Sequence, residues 1–168
     1  MFSLIISIIA IALVVALAGA TLYYGGDAFS KGSAAAQAST LANQGQQIAA
    51  AHTLYAVDHG GATMTEASTI GDLVTEGYLS AMPTPPTGSW AIEDTFDMDG
   101  AGTADTAKVL VIADVQANLS DEVCAEAQKQ GGAGAGATDH SSSVYSCVVD
   151  VDGAGATLTD SNAFFYKL

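Results

Sequence analysis

Apolar positions fill the first 24 residues without a single charge: MFSLIISIIAIALVVALAGATLYY. The first ionisable side chain other than the tyrosines is Asp27. Roughly 20 apolar residues in a helix cross the hydrocarbon core of a bilayer. Such a run predicts a helix that spans a membrane or packs as the shared core of a filament. Beyond Gly25-Gly26 the pattern changes. Ala34, Ala38, Leu41, Gly45, Ile48 and Tyr55 recur at helical spacings and form one apolar stripe. Gln37, Asn43, Gln46 and Gln47 fill the opposite face, and Ala34, Ala35, Ala36, Ala38 and Ala42 allow a close neighbour. If the two halves are continuous, residues 2–57 reach about 80 Å. Gly19, Gly25 and Gly26 are the weak points, because glycine costs a helix about 1 kcal/mol each. A bend or local unwinding is expected there.

Gly60-Gly61 ends this helix. A short helix is expected to start in 69–74 and to finish near Gly77-Tyr78-Leu79. Pro83, Pro85 and Pro86 enforce an extended loop up to Trp90. Residues 90–93 start a strand, and the β-branched run 108–113 is a central strand. Residues 119–124 open a helix, with Ser120 or Asp121 as the cap. Residues 131–136 are a flexible glycine-rich loop, and 144–151 and 162–167 are the last two strands. These elements predict an α+β chain, with a small antiparallel sheet laid on the C-terminal half of the long helix. Three segments result: an apolar helix over 1–27, its amphipathic half over 28–58, and a globular part over 59–168.

Charge narrows the partners. The 18 acidic residues face 4 lysines and no arginine, a net charge of −14. Nothing here replaces the counter-ions of a phosphate backbone, so no nucleic-acid partner is expected. Lys31, Lys108, Lys129 and Lys167 are scattered and form no patch. A secretory signal peptide fits the apolar run poorly, because no basic stretch precedes it and it is long. A mature chain whose basic leader has been removed is the alternative.

Candidate chemistry is sparse. In an exported domain, Cys124 and Cys147 read as one disulfide, worth roughly 3 kcal/mol of loop-closure entropy. Two separate buried thiols are the alternative; zinc is weaker still without a Cys-x-x-Cys or clustered histidines. Asp97, Asp99, Asp150 and Asp152 sit in two Asp-x-Asp-Gly-Ala-Gly repeats. Such carboxylates can hold calcium, but the spacing is not an EF-hand, and hairpin turns account for Asp-Gly. His52, His59 and His140 read as surface or packing residues, with His52 and His59 able to share a helix face. Ser141 to Ser143 lack nucleophile-elbow glycines, and the 131–136 loop lacks the Lys-Ser/Thr of a phosphate cradle. Asn118-Leu119-Ser120 fits a glycosylation sequon. No cofactor and no catalytic constellation is expected.

Taken in order, several segments resemble a type IV pilin, most closely the type IVb group. They are Ser3-Leu4-Ile5-Ile6-Ser7, the alanine-rich stretch to Ala18-Gly19, and Tyr23-Tyr24. Further along come Glu76-Gly77-Tyr78-Leu79 leading into Pro83, Ser120-Asp121-Glu122-Val123-Cys124, and Phe164-Phe165-Tyr166-Lys167. The resemblance implies that Cys147 is the disulfide partner of Cys124. It implies that Phe2, Leu4, Ile5, Ile6, Ile9, Leu13, Leu17 and Tyr24 drive assembly into a helical homopolymer. It also implies an inner-membrane anchor before assembly, a separate assembly machinery, and a final place in an extracellular pilus for adhesion, aggregation, motility or uptake. Members of that family usually carry a glutamate near the mature N-terminus that pairs with a neighbour's terminal amine. Here Ile5 and Ile6 are aliphatic, so register would rest on packing alone. A minor pilin or pseudopilin of a secretion or DNA-uptake machine is the alternative, and a monomeric membrane-anchored binding domain is the third.

Overall fold

The computed structural model describes residues 2–65, 70–94, 96, 98, 107–112, 119–134, 137, 139–148 and 162–168. The apolar run and the amphipathic stripe after it form one helix, α1 (Phe2–Asp58), of 57 residues. Its backbone stays helical through Gly19, Gly25 and Gly26, so the local unwinding expected there does not occur. A cost of about 1 kcal/mol per glycine is small beside the long alanine-, leucine- and isoleucine-rich turns on either side. Beyond Asp58, Gly60 and Gly61 take the positive φ that ends the helix.

The chain divides into two compact units, Met1–Ala34 and Ala35–Leu168. The first holds the apolar turns of α1. In the second, the remaining turns of α1 are followed by α2 (Asp72–Thr75), β1 (Trp90–Glu93), β2 (Val109–Ile112), α3 (Asp121–Gly131), β3 (Tyr145–Val148) and β4 (Ala163–Lys167). The four strands form one antiparallel sheet in the order β1-β2-β4-β3. The fold is therefore α+β, with a long N-terminal apolar helix and a small antiparallel sheet.

Register decides which residues share a face, because side chains alternate along a strand. Trp90 pairs with Ile112, Ile92 with Leu110, Leu110 with Tyr166, Tyr166 with Tyr145, and Phe164 with Cys147. These side chains form the face that meets the α1 stripe, where Ala38, Leu41 and Ile48 are fully buried. Gly45 allows the close approach: a Cβ there would lie 2.7 Å from the Tyr166 ring. The opposite face carries a second core of Phe96, Met98, Val109, Val111, Val148, Ala163 and Phe165. Covering both faces is why β2 is an unbroken apolar run (Val-Leu-Val-Ile) and why Phe164 and Phe165 are both buried.

Polar side chains fix the pieces between these layers. Gln44 Nε2 donates to the Thr84 carbonyl (2.9 Å), and Trp90 Nε1 donates to Gln44 Oε1 (3.4 Å), which pins the proline loop to α1. Lys108 Nζ donates to the Thr63 hydroxyl and the Met64 carbonyl and pairs with Asp94 at 3.0 Å. One ammonium thus joins the segment after α1 to the end of β1.

α3 begins as its sequence demands, with Ser120 Oγ accepting the Val123 N–H. It lies beside α1, where Gln130 Nε2 donates to the Ala35 carbonyl and Ser39 Oγ donates to Gln130 Oε1. At its last residue, Gly131, an added methyl would overlap the Tyr145 carbonyl oxygen of β3. Gly131→Ala is therefore expected to lower stability by about 1–3 kcal/mol, the usual range for overpacking. A denaturant midpoint unchanged from the native protein would contradict this contact.

Candidate functional site

The most distinctive surface is the apolar part of α1. Among the described residues, the eight expected to drive assembly are all solvent-facing, from 54% exposed at Ile5 to 84% at Phe2. The polar side chains within the run add little polarity. Ser7 Oγ donates to the Leu4 carbonyl and Thr21 Oγ1 to the Ala18 carbonyl, both at 2.9 Å. A hydroxyl satisfied by its own helix needs no water, which suits a lipid or packed environment. Tyr23 and Tyr24 meet edge to face at 5.5 Å near the end of the run. Charge enters only one turn later, as an exposed pair between Lys31 Nζ and Asp27 Oδ2 at 2.9 Å.

This helix is long and apolar enough to cross a membrane, and none of its most hydropathic window is buried. A membrane anchor, a signal sequence and a core helix can share that length and composition. An exposed apolar surface of this extent marks an interaction site.

The two cysteines meet as one disulfide, with Cα atoms 5.2 Å apart across 23 positions. The alternative of two separate thiols is thereby excluded. The bond joins the first turn of α3 to the middle of β3, and Gln128 Nε2 reinforces the junction by donating to the Cys147 carbonyl at 2.9 Å.

The histidines occupy three different environments. His59 lies just past α1, its ring stacked on Tyr55 at 4.0 Å and its Nε2 3.7 Å from Glu76. His52 is buried on α1, where its Nε2 accepts the Met64 N–H at 3.2 Å. His140 is sealed in the second core. Its Nδ1 lies 2.9 Å from Ser146 Oγ, its ring packs edge-on to Phe165, and its backbone N–H donates to the Met98 carbonyl. The polar run Asp139-His140-Ser141 gave no sign of this burial, because Met98 and Phe165, which His140 meets, are distant in sequence. Among the described residues no three His, Cys, Asp or Glu side chains cluster as a metal site. Asp97, Asp99, Asp150, Asp152 and Asn118 lie outside the described residues.

Burial holds the His140 pKa below its ordinary 6.5, against opposing contributions from a backbone hydrogen bond with Ala137 and the nearby Asp139 charge. The folded state therefore binds a proton less readily than the unfolded chain. The resulting stability is fully present above about pH 6.5 and is lost as pH falls through the folded pKa. The melting temperature of the detergent-solubilised chain should drop as pH falls below about 6.5. His140→Gln, which cannot titrate, should flatten part of that drop; an identical drop in both proteins would refute the assignment.

No family model, no curated protein and no solved structure matches this chain.

Proposed function

We propose that this chain is a type IV pilin-like structural subunit, closest to the type IVb kind. The observation that carries the reading is a charge-free, solvent-exposed apolar helix continued by the same α1 into a disulfide-linked antiparallel head. An isolated soluble protein gains nothing from such a surface. A polymer gains from it, because each Leu, Ile or Val side chain removed from water contributes about 1.5–3 kcal/mol. Before assembly the same helix holds the subunit in the inner membrane; afterwards it packs against other copies while the head faces outward on the cell surface. The role is structural rather than catalytic, without a cofactor and without nucleic-acid binding. Extension and any retraction fall to a separate assembly machinery.

The aliphatic pair Ile5 and Ile6 favours a second form of this reading, a minor pilin or pseudopilin of a secretion or uptake machine. Electron microscopy of material sheared from cells, with mass spectrometry of its subunits, tests both. A major pilin is the dominant band of a surface fibre, and a minor one is a trace component. Recovery of the protein only as single copies in membranes would overturn both forms.

A further inference from the structure

The lysines of this chain are engaged within their own subunit. Lys31 pairs with Asp27 at 2.9 Å, Lys108 with Asp94 at 3.0 Å, and Lys129 with Glu126 at 3.3 Å. Lys167 Nζ donates to the carbonyl of Ser141, whose N–H in turn donates to Asp139 Oδ1. The sequence has no arginine, and each copy carries a net charge of −14. Asp58, Glu76, Asp121, Glu122 and Asp139 are all on the exposed surface of the Ala35–Leu168 unit.

A second copy therefore brings a large excess of carboxylates over cations to meet the same excess on the first. Each apolar segment carries one acidic unit on the same chain, so every copy added to an assembly adds its own net charge of −14. Unscreened charge reaches about 30 Å at 0.01 M salt, about 10 Å at 0.1 M and about 3 Å at 1 M. Stalk burial is indifferent to simple ionic strength, whereas head repulsion is not.

We propose that mobile cations are an obligatory partner in the self-association of this chain: salt screens the acidic heads and so decides whether the apolar stalks can hold. This rests on the polymer reading above and adds its regulation. The screening is diffuse, since among the described residues no cluster forms a discrete metal site.

Fibres sheared from cells, or assembled from the full chain, are moved from about 1 M to about 0.01 M sodium chloride and pelleted. The pelleted fraction should fall at least about tenfold and recover when salt is restored. Potassium chloride at equal ionic strength should give the same midpoint, because screening depends on ionic strength and not on which monovalent cation supplies it. The triple variant Asp58→Asn, Glu76→Gln, Glu122→Gln should hold its fibres to several-fold lower salt. Fibres indifferent to salt overturn this inference alone. So does a midpoint that differs between sodium and potassium chloride at equal ionic strength, or saturation by micromolar magnesium at fixed ionic strength. Absence of fibres at every salt concentration overturns the polymer reading and this inference with it.

Discussion

Ile9→Asp is expected to abolish the polymer while leaving the head folded. Ile9 is exposed near the middle of the charge-free run, among residues of which none carries a formal charge. Lys31, the first lysine, is six turns away along α1, so no lysine of the same helix can reach an aspartate placed there. Placing Asp at the centre of an apolar helix costs about 2.5–3.5 kcal/mol in membrane-insertion measurements. That cost recurs in every subunit, so even the low end removes more than tenfold in association per contact. Ile9→Ala keeps the surface apolar and should only weaken assembly. The decisive readout is the pelleted fraction beside the melting of the head, which should not move. Wild-type fibre yield from Ile9→Asp would mean that this face of α1 is not part of the contact.

Removing the disulfide with Cys124→Ala and Cys147→Ala should lower the stability of the head by about 3 kcal/mol. The estimate follows from the entropy returned to the unfolded chain when a loop of this size is opened. Alanine avoids burying a new hydroxyl at two sites that are fully enclosed. The loss should appear as a lower denaturant midpoint with a changed slope, since the unlinked chain exposes more surface. Because the bond ties α3 to β3, protease cutting within 125–146 should also become faster. An unchanged midpoint would mean that Gln128 and the Ser39–Gln130 contacts hold α3 in place unaided.

Local chemistry made much of this fold legible. The apolar stripe of Ala38, Leu41, Gly45 and Ile48 needed only helical spacing, and at Gly45 the helix backbone lies close against the Tyr166 ring. Trp90–Glu93 is a strand as its alternation indicates, and Ser120 supplies the cap to α3. Each of these signals is carried by neighbours within a few residues. The strand order was not legible in the same way. β4 inserts between β2 and β3 because Phe164 and Phe165 can fill both layers at once, a fact that depends on partners more than 50 positions away on one side. The threefold engagement of Lys108 was hidden because Thr63 and Met64 lie 45 and 44 positions away. α1 stays helical through Gly19, Gly25 and Gly26 because the long flanking turns outweigh the local propensity of glycine.

The central position of β4 bears on how the molecule matures. Residues 163–167 are the seam: β2 and β3 each bond to β4 and not to one another. A nascent chain that has delivered its first three strands therefore holds two separate halves. Among the described strands, the sheet closes only when β4, the last of them in sequence, takes its place between β2 and β3.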